Sequence, residues 1–291
     1  MKQTNSYSLL NGEIILKEKV VISPYDRGFL YGDGIYETIR IHNGNPFLWK
    51  WHMKRLIAGA ETISLKIPLT PLEFLAKTKE LIEVNRSRNC IARLTVTRGS
   101  SERGYDFTGD EISTSLICLY EMPAIEKKHI SLSITNTRIA KGDILTEIKS
   151  NNKLSSIMAK RFAKERNTDD GLMINTEGNI TETSSANIFC IKDGIIRTPP
   201  INDGVLPGVT RRLTLSLASS LGLVVKEESI PPKNLEKADA IFVTSAATGI
   251  RNVEQIEETK FPNNKLVNQL QKAYDKELSK HELLIAKSTG S

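Results

Sequence analysis

The chain has 291 residues, of which 39% are hydrophobic and 25% are charged, a composition typical of a globular protein with one large or two medium domains. No apolar run approaches the roughly 18 residues that a membrane span requires, and the first residues lack the hydrophobic stretch of a signal peptide. The net charge is +6, but lysines and arginines alternate with aspartates and glutamates and form no basic block. We therefore predict a cytoplasmic protein that binds neither membranes nor nucleic acids.

The cysteines and histidines show neither a disulfide pattern nor a metal-binding pattern. Cys90, Cys118 and Cys190 are an odd number of cysteines at wide spacing, each in an apolar run typical of a strand. The histidines include no pair at metal-ligand spacing and no His-Glu-x-x-His motif. We predict no disulfide framework and no metal site.

The N-terminal part, residues 1–122, is predicted to form one α+β domain. Asn-Gly pairs at 11–12 and 43–44, flanked by apolar residues, predict hairpin turns. Thr70, Pro71 and Glu73 predict a helix start, because they supply an N-cap, a proline at the first helical position and a capping-box carboxylate. In chain order we predict two strands within 7–22, strands at 35–41 and 46–49, helices at 49–63 and 70–85, and strands at 91–97 and 115–120.

A linker is predicted at residues 123–128, where Pro123 precedes a charged run, and residues 129–291 form the second predicted domain. Gly222 predicts the end of a helix by a glycine cap. In chain order we predict a strand at 129–135, a helix at 153–166, hairpins that turn at 177–178 and 193–194, a helix from 208 to 221, strands at 223–229 and 240–244, and a last helix from about residue 264.

Three motifs offer the groups that hold pyridoxal phosphate (PLP). Lys149 offers an amine for the aldehyde, Glu182 a carboxylate for the pyridine nitrogen, and the turn at Gly208 offers helix N–H groups for the phosphate. Each signal is weak alone, because most lysines are solvated, Glu182 could lie in a solvated hairpin turn, and a glycine turn could be only a capped helix start. Arg55, which alone reads as a surface residue, would add a guanidinium for the phosphate.

Six motifs follow one another in register over nearly the whole chain. They are Asp26-Arg27-Gly28-Phe29 with residues 31–40, His52-x-x-Arg55-Leu56, Lys149-x-x-Asn152, Glu182, Asn187-Ile188-Phe189 and Leu206-Pro207-Gly208-Val209-Thr210-Arg211. Together they resemble the class IV aminotransferases. These fold-type IV PLP enzymes include branched-chain aminotransferases, D-amino acid aminotransferases and aminodeoxychorismate lyases.

The resemblance implies an α+β fold of two domains. The smaller N-terminal domain would be α/β, and the larger C-terminal domain would have a β-barrel-like sheet core flanked by helices and would bind the cofactor. It also implies a homodimer in which residues of the neighbouring subunit complete each substrate pocket.

The resemblance further implies roles for single residues. Lys149 would be the catalytic Schiff-base lysine and proton shuttle, with Lys153 as the nearest rival nucleophile, and Glu182 would pair with the pyridine nitrogen. The implied cofactor-binding residues are Arg55, Lys149, Glu182, Ser185, Leu206, Val209, Thr210, Ser245 and Ala246. The implied substrate-binding residues are Tyr36, Arg40, Arg98 and Ala247.

The predicted reaction is transfer of an amino group between a small, branched-chain-like amino acid and a 2-oxo acid, because Tyr36 with Arg40 resembles the branched-chain enzymes. The alternative is a 4-amino-4-deoxychorismate lyase that releases pyruvate to give 4-aminobenzoate, since residues 98–105 resemble the lyase loop. A D-amino acid aminotransferase is less favoured. Ser245 and Lys153 depart from the pattern of many branched-chain enzymes. A binding protein of this fold without catalysis is disfavoured by the presence of both Lys149 and Glu182.

Overall fold

The computed structural model describes residues 6–124 and 129–288, which divide into two compact units. The first unit comprises the described residues of Met1–Met122, Ile148–Asn152 and Lys280–Ser291, and the second comprises those of Pro123–Glu147 and Lys153–Ser279. Residues 125–128 of the predicted linker lie outside the described residues. Residues 148–152 join the first unit through strand-like pairing, because Tyr36 N–H donates to the Lys149 carbonyl and Ser150 bridges Ile35.

The first unit contains an antiparallel six-stranded sheet. Its elements are β1 (Tyr7–Leu10), β2 (Glu13–Leu16), α1 (Arg27–Tyr31), β3 (Gly34–His42), β4 (Asn45–Pro46), α2 (Trp49–Thr62), α3 (Pro71–Asn85), β5 (Cys90–Thr97) and β6 (Thr114–Glu121). The strand order is β2-β1-β6-β5-β3-β4. The predicted capping box of α3 is present, because Glu73 N–H donates to the Thr70 hydroxyl and Thr70 N–H donates to the Glu73 carboxylate.

One face of this sheet forms the core of the first unit. Alternate residues of β3, among them Ile35, Ile39 and Ile41, pack with apolar residues of α2 and α3 such as Leu56 and Leu81. Side chains alternate between the two faces of a strand, so Glu37 shares the core face with these isoleucines. A buried carboxylate among apolar side chains requires charged or hydrogen-bonding partners.

Two predictions for this unit were wrong in detail. The second of the two strands predicted within 7–22 is shorter than expected: β2 ends at Leu16, a 3-10 turn covers Lys17–Lys19, and Val21 is 76% exposed. The sequence analysis also missed α1, a short helix capped by Asp26, whose side chain accepts from Gly28 N–H. Both segments are too short for periodicity to identify.

The second unit is built around a closed barrel. Its elements are β7 (Ile130–Ile139), α4 (Leu154–Glu165), β8 (Asp170–Asn175), β9 (Ile180–Thr183), β10 (Asn187–Lys192), β11 (Ile195–Thr198), α5 (Val209–Ser220), β12 (Val225–Glu227), α6 (Pro232–Leu235), β13 (Ala240–Ser245), β14 (Gly249–Ile256), β15 (Thr259–Lys260) and α7 (Lys265–Ser288), whose end belongs to the first unit. The sheet order runs β10-β13-β14-β7-β8-β9, and pairing of Glu182 with Asn187 joins β9 back to β10.

The barrel follows from buried apolar strands such as β10 and β13, in which Phe189 and Phe242 stack with ring centres 4.8 Å apart. Closure leaves β9 and β10 without an exposed edge between them. The predicted α+β fold, with a barrel-like sheet in the second domain, is confirmed. Among the described residues, no helix combines the length and the hydropathy that a membrane span requires.

Candidate active site

In the second unit, Glu182 lies where β9 and β10 pair to close the barrel. Its half-buried carboxylate accepts two hydrogen bonds at Oε2, one from Asn187 Nδ2 at 3.0 Å and one from Leu206 N–H at 3.2 Å. Asn187 Nδ2 also donates to the Leu206 carbonyl at 3.0 Å. Because hydrogen bonds to an ionised carboxylate are strong, this arrangement fixes an acidic group beside Leu206.

The turn that begins at Leu206 leads directly into α5. Gly208 is the N-cap residue of α5 and, as a glycine, has no side chain that could cap the N–H groups of the first turn. These N–H groups lack carbonyl partners within the helix, and the helix dipole is positive at this end. Val209 and Thr210 are the first residues of the helix, and both are buried. The turn therefore offers an anion-binding helix start next to Glu182.

Of the predicted residues 245–247, Ser245 is the last residue of β13, and Ala246 and Ala247 lie in the turn that joins β13 to β14. Thr248 N–H donates to the Ser245 hydroxyl at 3.2 Å, which shapes this turn. Thr244, which precedes the turn, pairs with Asn187 in the barrel. The turn therefore lies at the same end of the barrel as the closure of β9 on β10.

Ser185 lies in the turn between β9 and β10, where it is exposed. Its hydroxyl donates to Asp170 Oδ2 at 3.4 Å, and the hydroxyl of Ser184 donates to Oδ1 of the same carboxylate. Because Asp170 is a buried residue of β8, these bonds attach the turn to the barrel. A contact between Ser185 and a cofactor remains a prediction.

In the first unit, Lys149 lies beside the aromatic ring of Tyr36. The Tyr36 N–H donates to the Lys149 carbonyl at 2.9 Å, and the Lys149 Nζ is 4.7 Å from the centre of the Tyr36 ring. The guanidinium carbon of Arg93 is 3.7 Å from the same ring centre. Cations within about 6 Å of an aromatic face are attracted by its quadrupole. The structure thus brings an amine, an aromatic ring and a guanidinium together.

Arg93 is a candidate site residue that the sequence analysis missed. Antiparallel pairing of β3 with β5 sets Arg93 opposite Thr38, which lies between Tyr36 and Arg40 on one face of β3. Arg40, which was predicted to bind substrate, is on this face but further along the strand. The alternation of side chains along β5 indicates which face of the strand carries Arg93. Only the register of pairing between β5 and β3 determines which residues lie next to it.

A second cluster of the first unit joins the predicted phosphate ligand Arg55 to Glu37 and His52. Arg55 donates from Nε to Glu37 Oε1 at 2.8 Å and from Nη2 to Oε2 at 2.6 Å. His52 Nδ1 is 2.6 Å from the same Oε2. Because an ionised carboxylate only accepts hydrogen bonds, we assign Nδ1 as the protonated nitrogen of His52. The two bonds from Arg55 hold its guanidinium in one orientation.

Burial and neighbouring charges set the ionisation states of Glu37 and His52. Burial raises the pKa of Glu37, which is 0% exposed, but the charges and hydrogen bonds of Arg55 and His52 outweigh burial and lower the pKa to about 2. Burial lowers the pKa of His52 below its ordinary value, helped by the positive charges of Arg55 and Lys149 and opposed by Glu37. At neutral pH, Glu37 is therefore ionised and His52 is neutral.

Replacing Glu37 by glutamine is expected to destabilise the protein by about 3–5 kcal/mol at pH 7, because it leaves Arg55 without its charged partner. The ionised form of Glu37 stabilises the fold fully above its ordinary pKa near 4.5, and this stabilisation is lost as the pH falls toward 2. Denaturant unfolding at pH 7, 5 and 3.5 should show the difference between wild type and Glu37→Gln narrowing below pH 4.5. A difference that does not change with pH would contradict the assignment of an ionised Glu37.

Arg98, predicted to bind substrate, is buried in a different network. Its guanidinium donates to both carboxylate oxygens of Asp33 and to the carbonyls of Ile63 and Ser64. Arg27 shares the Asp33 carboxylate at 2.8 Å and donates to the carbonyls of residues 104–106. Burial raises the pKa of Asp33, but the two arginines lower it overall. This geometry supports a role for Arg98 in holding the backbone rather than a direct contact with substrate.

Comparison with known proteins gives the same class as the motifs. A family model described as amino-transferase class IV matches residues 34–256. A Methanocaldococcus jannaschii protein, provisionally named a branched-chain-amino-acid aminotransferase, is 32% identical over 265 residues, or 90% of this chain and 92% of that protein. The D-alanine aminotransferase of Staphylococcus epidermidis is 30% identical over 94% of this chain and 98% of its own length.

A solved structure to which this chain is similar is named for a third activity. The 4-amino-4-deoxychorismate lyase of Pseudomonas aeruginosa has a TM-score of 0.82 and 26% identity, covering 91% of this chain and 97% of that one. Together with the family model, which matches well over half of the chain, these relatives show that the chain belongs to the class IV aminotransferase family. The predicted family is confirmed.

Proposed function

We propose that the chain is a PLP-dependent aminotransferase that transfers an amino group between a small, branched-chain-like amino acid and a 2-oxo acid. The observation that carries the proposal is the ring of hydrogen bonds that holds the Glu182 carboxylate against Leu206, at the start of the turn into α5. It combines an acidic group for a protonated pyridine nitrogen with helix N–H groups for a phosphate.

The residues of the second unit fit PLP in their chemistry. Glu182 would stabilise the positive charge on the pyridine nitrogen, and the N–H groups of Val209 and Thr210 would receive the phosphate. Gly208 suits this role because it has no side chain that could cap the N–H groups of the first turn. Residues 245–247 would line the cofactor from the neighbouring turn. When bound, PLP supplies an electron sink that stabilises negative charge on the α carbon of the substrate.

The resemblance to the family assigns the amine to Lys149 and a guanidinium to Arg55. Lys149 Nζ would bind the cofactor aldehyde, take the proton from the substrate α carbon and later return a proton. Arg55, oriented by Glu37, would donate to the phosphate. Tyr36 offers an apolar ring beside Lys149 that suits a branched aliphatic side chain, and Arg93 offers a guanidinium for a carboxylate. Direct substrate contacts of Arg40 and Ala247 remain predictions.

A 4-amino-4-deoxychorismate lyase is the second candidate. Arg27 and Arg98 hold the loop after β5 in place, and the loop residues 98–105 resemble those of the lyases. A substrate with more than one carboxylate would suit additional guanidinium groups. The relative from Staphylococcus epidermidis makes D-alanine a further donor to test. We also propose a homodimer, as the resemblance implies, and a cytoplasmic location, as predicted from the sequence.

A panel of amino donors separates these activities. With 2-oxoglutarate as acceptor, we expect the purified protein to form glutamate from L-leucine, L-isoleucine or L-valine. Glutamate formed only from D-alanine would instead indicate a D-amino acid aminotransferase. Release of pyruvate from aminodeoxychorismate without a 2-oxo acid would indicate the lyase. Coupled assays for glutamate and pyruvate measure these outcomes.

A further inference from the structure

We propose that Asn187 is a positioning residue that fixes the Glu182 carboxylate and the Leu206 turn relative to each other. The inference rests on the proposed function, in which Glu182 faces the pyridine nitrogen and the turn receives the phosphate. Asn187 Nδ2 donates to Glu182 Oε2 and to the Leu206 carbonyl, both at 3.0 Å. An amide nitrogen carries two hydrogens, so these two bonds use both of them.

The orientation of the Asn187 amide follows from its partners. Both groups that Nδ2 contacts, a carboxylate and a carbonyl, accept hydrogen bonds, so the NH₂ end of the amide must face them. The oxygen end faces Gly208, where a Cβ atom would collide with Asn187 Oδ1. A glycine at position 208 is therefore needed for the close approach of Asn187.

The backbone of Asn187 is held on both sides. Asn187 is the first residue of β10, 5% exposed, and it pairs with Glu182 of β9 and with Thr244 of β13. Leu206 N–H closes the ring by donating to the same Glu182 oxygen at 3.2 Å. One side chain anchored in the barrel thus bonds to the acidic group and to the turn.

This arrangement matters for a ligand that has a pyridine nitrogen at one end and a phosphate at the other. The protein can bind both ends of such a ligand at once only if the partners of the nitrogen and of the phosphate keep a constant separation. Holding these partners in place before binding lowers the entropy cost of binding. Without Asn187, the Leu206 turn would lose the hydrogen bond that the Leu206 carbonyl accepts, and the bond from Leu206 N–H to Glu182 would remain. We then expect the phosphate to contribute less to the affinity of the protein for PLP.

The test compares PLP with pyridoxal, which lacks the phosphate. For apoprotein titrated by absorbance, the ratio of the Kd for pyridoxal to the Kd for PLP should fall about tenfold in Asn187→Ala, the scale of one hydrogen bond to a charged group. The control is Thr198→Val, which removes a buried hydrogen bond to the Ile188 carbonyl of the same strand. In Thr198→Val, the ratio of the two Kd values should equal that of the wild type. A wild-type ratio in folded Asn187→Ala would refute the proposal.

Asn187→Asp gives an independent test if the alanine variant does not fold. The introduced carboxylate would lie beside Glu182 and repel it at neutral pH, but its protonated form could donate a hydrogen bond again. The affinity of this variant for PLP should therefore approach that of the wild type as the pH falls from 8 to 5.5. If the affinities of the variant and the wild type change with pH in the same way, the proposal is refuted. Wild-type protein that forms no borohydride-reducible PLP adduct would refute the proposed function itself.

Discussion

Lys149→Ala is expected to abolish the covalent attachment of PLP and to lower turnover by at least about 1000-fold, because the amine both binds the aldehyde and moves the proton. Reduction of the wild-type protein with borohydride should leave PLP attached to the peptide that contains Lys149, as mass spectrometry would show. The variant should lack this adduct and its absorbance band. Lys149 is half-buried beside Tyr36, so its removal leaves the core of the first unit intact.

Lys153 provides the matched control. It follows Lys149 by four residues but belongs to the second unit, and it is the rival nucleophile in the sequence. Lys153→Ala should keep the adduct and the absorbance band. An adduct that persists in Lys149→Ala and disappears in Lys153→Ala would transfer the catalytic role to Lys153.

Glu182→Ala is expected to reduce turnover by about 100-fold or more while some PLP is retained. The carboxylate would stabilise the charged pyridine nitrogen, and loss of one preorganised electrostatic partner in an active site typically costs a factor of about 100 to 1000. PLP retention is expected because Lys149 and the helix start of α5 remain. Turnover with the best donor of the panel, together with cofactor content by absorbance, measures both effects.

Two further variants separate charge from structure at this position. Glu182→Gln keeps an oxygen that can accept from Asn187 and Leu206 but removes the negative charge, so its turnover should also fall. Glu177→Gln changes an exposed carboxylate in the turn between β8 and β9 and should leave turnover unchanged. Full activity of Glu182→Ala would show that no electron sink depends on this carboxylate.

Local signals in the sequence predicted many elements well. The capping box at Thr70 and Glu73 predicted the start of α3 at Pro71, because the hydrogen bonds that cap the N-terminus of a helix are made by residues within its first turn. Gly222, with φ of +70°, follows the end of α5 at Ser220 as the predicted glycine cap. The hairpin turns at Asn11 and Asn43 were found for the same reason, since turn residues lie next to one another in the chain.

The arrangement of the candidate site depended on pairing that has no local signature. Register decides which residues are neighbours across strands, and it placed Arg93 rather than Arg40 beside Tyr36. Arg98 shows the converse case, because a loop arginine that resembles a substrate ligand is bonded to Asp33 and to backbone carbonyls. No sequence pattern distinguishes a guanidinium that binds substrate from one that holds a loop.

The resemblance of six motifs in register, which include Lys149, Glu182 and the turn at Gly208, indicated the family, because that chemistry needs particular residue types and the sequence contains them. The sequence also determined where helices and hairpins begin, since caps and turns are formed by adjacent residues. Only the tertiary structure decided that Glu182, Asn187 and Leu206 form one hydrogen-bonded ring where the barrel closes. Such contacts join distant segments, and the free energy of folding the whole barrel selects them.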